Sequence, residues 1–235
     1  MALPKLNSLP VYEMTVPSTG QNVTYRPFLV KEQKNLLIAF ESQNRRDLVR
    51  AVQRTIEACV EDDINSNLTT FDVDYMFTKI RSKSVGETAD ILVPCSECET
   101  KNDVKVDLDD VVVDSEIPEM MIQINEDVSI QMKFPTYDDF LGNTNLLDST
   151  TVTEALLQLI ITCMDSILTE EERYSLVDET VEDVLNFLES MTSEQFEKVS
   201  EFANKIPNLT KTISFSCESC GHENEKTLKG LDDFF

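Results

Sequence analysis

Six cysteines are the residues of this chain best suited to chemistry, and their spacing decides which chemistry. Four form two CxxC pairs, Cys95-Ser96-Glu97-Cys98 and Cys217-Glu218-Ser219-Cys220. A CxxC turn sets two thiolates on one tight bend, which suits two corners of a metal tetrahedron. Two such turns supply a closed four-sulfur site of the kind that zinc takes. The flanks match as well. Ile91 and Val93 precede the first pair at the offsets at which Ile213 and Phe215 precede the second. Asn102 and Asn224 each lie four residues after the second cysteine, and the segments close in Asp109-Asp110 and Asp232-Asp233. Apolar alternation, a CxxC turn and renewed alternation predict a β-hairpin with a zinc knuckle at its tip. Cys95, Cys98, Cys217 and Cys220 are therefore the expected ligands of one structural Zn2+, a zinc ribbon closed across 122 residues. Hairpins that carry thiols without metal are the plainer alternative. A redox dithiol is a further one, but neither pair opens a helix after a strand, the setting that lowers a thiol pKa. Cys59 and Cys163 sit among apolar helix residues and read as small core side chains.

Other chemistry is sparse. His222 is the single histidine. It lies beside the second pair, where four cysteines already complete the tetrahedron, and reads as a solvated loop residue. The five glycines form no phosphate-cradling loop. Acid pairs such as Asp62-Asp63 and Asp138-Asp139 are expected by chance among 44 acids and read as solvated surface. A site closed by four thiolates leaves no position for water. The expectation is a protein that is not an enzyme and has no small-molecule substrate.

The elements that must position the cysteines repeat. Val11 to Val16 and Asn22 to Tyr25 alternate around Pro17-Ser18-Thr19-Gly20 and predict a hairpin, followed by a helical pattern through Leu36, Leu37 and Phe40. Met121 to Ile124 and Val128 to Met132 alternate around Asn125-Glu126-Asp127 and lead into Tyr137, Phe140 and Leu141 in the same way. Apolar helices follow over about Leu48 to Val60 and Val152 to Leu168, each with an Ile-x-x-Cys, and hydroxyl caps are expected at Leu68-Thr69-Thr70 and Met191-Thr192-Ser193. All six cysteines thus pair between two halves in register. The fold class expected is α+β, an internal duplication of hairpin, helices and knuckle over 1–113 and 114–235, with Asp114 to Pro118 as the linker. An added amphipathic helix is expected in the second half near 170–190, over Ser175 to Glu189.

Composition narrows the partners. Twenty basic against 44 acidic residues give a net charge of −24, which opposes tracking nucleic acid by its phosphates, a task that needs a cationic face. No run of about 18 apolar residues suggests a membrane span. Met1-Ala2-Leu3-Pro4-Lys5 carries no leader pattern, so a reducing cytoplasm is the expected setting.

Two stretches resemble one family. Ile213 to Glu225 with the ending Leu228-Lys229-Gly230-Leu231-Asp232-Asp233-Phe234-Phe235 resembles the C-terminus of the baseplate hub assembly proteins of T-even-type (T4-like) bacteriophages. Tyr25-Arg26-Pro27-Phe28-Leu29-Val30-Lys31-Glu32 followed by Leu36-Leu37 resembles the same family near its start. The resemblance implies a role in building the contractile-tail hub, as a hub subunit or assembly chaperone, without catalysis. It implies hub or tape-measure proteins as partners, in the host cytoplasm during assembly. Two alternatives stand beside the chaperone: a permanent subunit of the virion baseplate, and an acidic zinc-ribbon adaptor that binds polymerase. Acidic surfaces at Glu170-Glu171-Glu172, Asp178-Glu179 and above all Glu182 and Asp183 on the added helix are the expected partner contact.

Overall fold

Alternating and helical stretches fold in the order the patterns call for. In the computed structural model, which describes residues 10–64, 67–114, 117–142, 151–177 and 179–234, the chain begins with strands β1 (Tyr12–Thr15) and β2 (Asn22–Tyr25). Helices α1 (Val30–Glu41), α2 (Arg45–Cys59) and α3 (Thr70–Val85) follow, then β3 (Thr88–Pro94), β4 (Lys101–Asp107) and the short β5 (Val112–Val113). Next come β6 (Met121–Gln123), β7 (Val128–Met132), α4 (Tyr137–Gly142), α5 (Val152–Cys163), β8 (Met164–Thr169), β9 (Arg173–Ser175), α6 (Val181–Glu189) and α7 (Ser193–Asn204). The hairpin β10 (Leu209–Ser216) and β11 (Glu223–Lys229) and a 3-10 turn at Leu231–Asp233 complete it. The expectation of mixed helix and sheet holds.

The chain divides into two compact units, 1–114 with 208–235 and 115–207. The joins after residues 114 and 207 put the C-terminal CxxC hairpin in one unit with the N-terminal segment. The leader-region residues 1–5, the linker residues 115 and 116 and Asp178 lie outside the described residues.

In the first unit β1 pairs antiparallel with β2, and Gly20 takes φ 69°, a left-handed geometry that glycine adopts without strain, at the turn. Thr69 caps α3, and the carboxylate of Asp72 returns the bond to the Thr69 amide at 3.0 Å. Asp72 is wholly buried and also accepts from the Ser18 amide at 2.8 Å and the Ser18 hydroxyl at 2.6 Å, so one carboxylate pins the first hairpin to α3. Glu32 is buried on α1, and burial opposes its charge. The Leu29 amide at 2.9 Å and ion pairs to Arg26 and Lys31 prevail and hold it below the ordinary carboxylate range.

The CxxC hairpins are two separate antiparallel ladders, β3 with β4 from Thr88↔Asp107 to Pro94↔Lys101, and β10 with β11 from Thr210↔Lys229 to Ser216↔Glu223. β5 adds to β10 through Leu209↔Val113, and the Asp114 amide bonds the Asn208 carbonyl at 2.9 Å. Inward residues of both hairpins make one core: Ala89, Val93, Val104, Val106, Leu108 and Val111 meet Leu209, Ile213, Leu228 and Phe234. Strict alternation in β4, where Asn102, Val104 and Val106 are buried and their neighbours exposed, is the pattern of a strand with one wet face.

The second unit centres on a four-stranded antiparallel sheet in the order β6-β7-β8-β9. Here two expectations need correction. The helix expected to reach Leu168 ends at Cys163, because Met164 to Thr169 pair with β7 from Met132 to Val128 and alternation wins over helical periodicity. The added segment is not one helix from Ser175. It holds β9 and then α6, which starts only at Val181, where the Thr180 hydroxyl caps the Asp183 amide.

Candidate metal centre

Each CxxC sits on a turn closed by the backbone. The Cys95 amide bonds the Thr100 carbonyl at 2.9 Å and the Glu99 amide bonds the Cys95 carbonyl at 3.0 Å; Cys217 with His222 and Gly221 with Cys217 repeat the pattern at 2.8 and 2.9 Å. Glu99 and Gly221 occupy the same place in the two turns, and both take the left-handed region, at φ 58° and 72°. Glycine does so freely, whereas Glu99 carries a steric cost that the closed turn must offset.

The turns bring the four thiols together. All four sulfurs lie within 4.8 Å of one another, with Cys95 to Cys220 at 3.7 Å and Cys98 to Cys217 at 3.6 Å. A tetrahedral ion with metal–sulfur bonds of about 2.3 Å sets its sulfurs about 3.8 Å apart, so the cluster has the dimensions of a tetrathiolate site. A disulfide would need about 2.05 Å. Cys95 and Cys217 are buried and Cys98 and Cys220 exposed. Among the described residues these four form the one group of His, Cys, Asp and Glu side chains close enough to hold a metal ion, and the His222 ring is not in it.

Two asparagines cross-brace the turns. Asn224 on β11 accepts from the Ser96 amide at 2.9 Å and the Ser96 hydroxyl at 3.0 Å in the other hairpin, while its amide group donates to Cys95 Sγ at 3.5 Å and to the His222 carbonyl at 2.9 Å. Asn102 on β4 accepts from the Glu218 amide at 2.9 Å and donates to the Thr100 carbonyl at 2.8 Å. Both are buried. In the sequence they stand only as matched flanks; their equal offset of four residues is the signal, and their position facing the opposite turn is the reason for it. Oriented donors to a ligand sulfur are what metal sites use to fix their ligands.

The electrostatics fit a cation. The Cys98 amide, with help from the Glu97 amide, Asn224 and Cys217, draws Cys95 down to about 6 against its desolvation. The Cys220 amide does the same for Cys217. At Cys220 the His222 amide pulls the other way but is outweighed by Cys98, burial, Cys217 and Cys95, and the thiol is pushed up to about 12. The turns thus favour thiolates, while four negative charges in one place are resisted until a positive ion sits among them. What the arrangement can do is hold such an ion and tie two hairpins together.

Cys59 and Cys163 are fully buried at the last residues of α2 and α5, where desolvation lifts their thiols to about 11 and about 12, as inert core groups. Glu182 and Asp183 lie exposed in the first turn of α6, in the other compact unit from the four clustered cysteines. The Asp183 carboxylate accepts from the Thr180 hydroxyl, so it has a local capping task that Glu182 lacks. No helix among the described residues is long and apolar enough to cross a membrane.

A family model described as T4 bacteriophage base plate protein matches residues 9–235. No curated protein and no solved structure matches the chain.

Proposed function

We propose that this chain, which belongs to the T4 bacteriophage base plate protein family, is a non-enzymatic hub assembly protein that binds hub or tape-measure proteins while the tail is built. Its place of action is then the host cytoplasm during assembly. The observation that carries the reading is family membership over residues 9–235; the closed donor set supports it, because four thiolates fill a tetrahedron and leave no position for a substrate. The ion proposed is structural zinc, and the two knuckles then form a zinc ribbon. Iron also takes four-sulfur tetrahedra. Elemental analysis with an absorption spectrum separates the two, since zinc thiolates lack visible colour.

The finer architecture proposed is an internal duplication. Four correspondences support it. Amides of Arg26 and Lys133 bond the carbonyls of Cys59 and Cys163 at 2.9 and 2.7 Å. Arg26 pairs with Glu32 and Lys133 with Asp139, six residues on in each case. Thr69 and Thr192 cap α3 and α7 with capping boxes. A CxxC hairpin follows each of those helices.

The partner contact proposed remains the acidic first turn of α6, Glu182 with Asp183, acting by charge complementarity. A tagged chain pulled down from infected cells should bring tail hub or tape-measure proteins, and mass spectrometry of purified virions should find it absent or substoichiometric. Stoichiometric presence in virions would favour a permanent baseplate subunit. Recovery of polymerase without tail proteins would overturn the assembly reading.

A further inference from the structure

The acidic surface has one reversal. The segment from Val30 to Cys59 carries six Lys and Arg against four Asp and Glu, whereas the rest of the chain has 14 against 40. Three of these cations line a groove of about 540 Å³ between α1 and α2, with Lys31, Ile38 and Ala39 on one side and Arg50, Ala51 and Arg54 on the other. Two carboxylates also line it, and both are already answered. Glu32 is paired with Arg26 and Lys31, and Asp47 sits in the first turn of α2, where the helix end favours a negative charge. Arg50 and Arg54 are exposed and stand one turn apart on the same face, a like-charge arrangement that costs stability in the isolated protein.

The groove also has apolar character. Among its lining residues Ile38 is apolar and 54% exposed, and Ala39, Ala51 and Ala58 add further apolar surface. An exposed apolar side chain among cations on a concave surface marks a contact surface more than a solvated face. Small residues at the floor, Ala39 and Ala51, allow close approach of a backbone. Both walls run about three helical turns, from Lys31 to Ser42 and from Asp47 to Ala58, or about 16 Å at 1.5 Å per residue.

We propose that this groove is a docking site for an acidic amphipathic helix of a partner protein. Apolar anchors at helical spacing would seat on Ile38 and the alanines, and Glu or Asp on the flanks would meet Arg50 and Arg54. The site is opposite in sign to the α6 contact and is independent of the metal reading, since none of its residues is a ligand.

The test uses the full metal-loaded chain and two labelled 14-residue helical peptides that share one Leu pattern at i, i+3, i+4, i+7, one with Glu and one with Lys on the flanks. Fluorescence anisotropy should show the Glu peptide binding and the Lys peptide not. Arg50→Glu with Arg54→Glu should weaken the Glu peptide by about tenfold or more at low salt, and the gap should shrink at 1 M salt, where the Debye length is about 3 Å. The milder Arg50→Gln with Arg54→Gln, checked for unchanged circular dichroism and metal content, should give a smaller loss in the same direction. Equal binding of both peptides, or no effect of either double substitution, would overturn the proposal. So would tighter binding of a single-stranded oligonucleotide than of the Glu peptide. Sedimentation that shows the substitutions abolishing self-association instead would assign the groove to a second copy of the chain and overturn it likewise.

Discussion

Truncating Asn224 to alanine removes a side chain that bonds both knuckles and the sulfur of Cys95. Its oxygen receives two bonds from Ser96 at 2.9 and 3.0 Å, and its nitrogen gives one to the His222 carbonyl at 2.9 Å and one to Cys95 Sγ at 3.5 Å. Each ordinary bond contributes about 1 kcal/mol net, and the stranded Ser96 amide adds a desolvation penalty, so a loss of about 2–3 kcal/mol is expected. For a unit of this size that corresponds to a melting shift of about 5–10 °C. Metal affinity should fall about 10- to 100-fold, the usual effect of losing an outer-shell donor. Asn102→Ala is the control. Asn102 holds the Glu218 amide and the Thr100 carbonyl but bonds no sulfur, so it should lower the melting temperature by a similar amount and metal affinity by less. Competition with a chromophoric zinc chelator, alongside thermal melts, measures both quantities. Affinity of Asn224→Ala within about twofold of the parent would refute the account. Equal affinity losses in the two variants would reduce both asparagines to hairpin clamps.

The remaining expectations need less argument. Cys98→Ser or Cys220→Ser should lower zinc stoichiometry and thermal stability together, while Cys59→Ala, at a buried helix end, leaves zinc unchanged and costs about 1 kcal/mol of packing, read by elemental analysis and urea melts. Asp72→Ala strands the buried cap of α3 and the Ser18 turn, and urea denaturation should show a loss of about 3 kcal/mol or more with the metal still bound. Cys163 is lifted to about 12 by burial, so the folded state keeps a proton that the unfolded chain gives up from about pH 9. Stability from this group is full below pH 9 and falls as pH rises toward 12, a slope that Cys163→Ala should flatten in melts across that range. Glu182→Lys should slow association with the proposed hub partner at low salt without moving the melting temperature by more than a degree or two, as expected of an exposed side chain with no cap to hold.

Legibility in the sequence followed the physics of each signal. The clustering of Cys95, Cys98, Cys217 and Cys220 was readable because a tetrathiolate site calls for two CxxC turns, and few other arrangements place two cysteines three apart at the end of an alternating strand. Thr69 and Thr192 were readable because caps are local, made of residues three apart. The end of α5 was not. Val152 to Leu168 is apolar throughout, and only pairing of Met164 to Thr169 with β7 decides that its last third extends; that partner lies more than 30 residues away. The groove between α1 and α2 is not legible in the sequence, because exposure of Ile38 depends on which face α1 turns inward, and its buried set is Glu32, Leu36 and Ala39. A buried glutamate contradicts simple patterning, and the Leu29 amide together with the Arg26 and Lys31 ion pairs explains it.

A metal at the tips of these hairpins would answer a weakness visible in how their burial is distributed. Toward the base, β10 and β11 bury Leu209, Ile213 and Leu228 against the β3–β4 face. Toward the tip β11 buries only Asn224, and the contacts become hydrogen bonds of Ser96, Asn102, Glu218 and Asn224. Apolar burial therefore fades where the two turns meet. The C-terminal hairpin must also return to the first unit after the chain has built residues 115–207, an excursion of 93 residues. Closing such a loop costs about 4 kcal/mol on a (3/2)RT ln n scale, beyond a length-independent constant. Structural zinc contributes apparent binding energies of about 10–16 kcal/mol in small peptides at neutral pH. Even a fraction of that exceeds the closure term, so the ion, more than the short β5 pairing, would decide whether the last 28 residues stay docked.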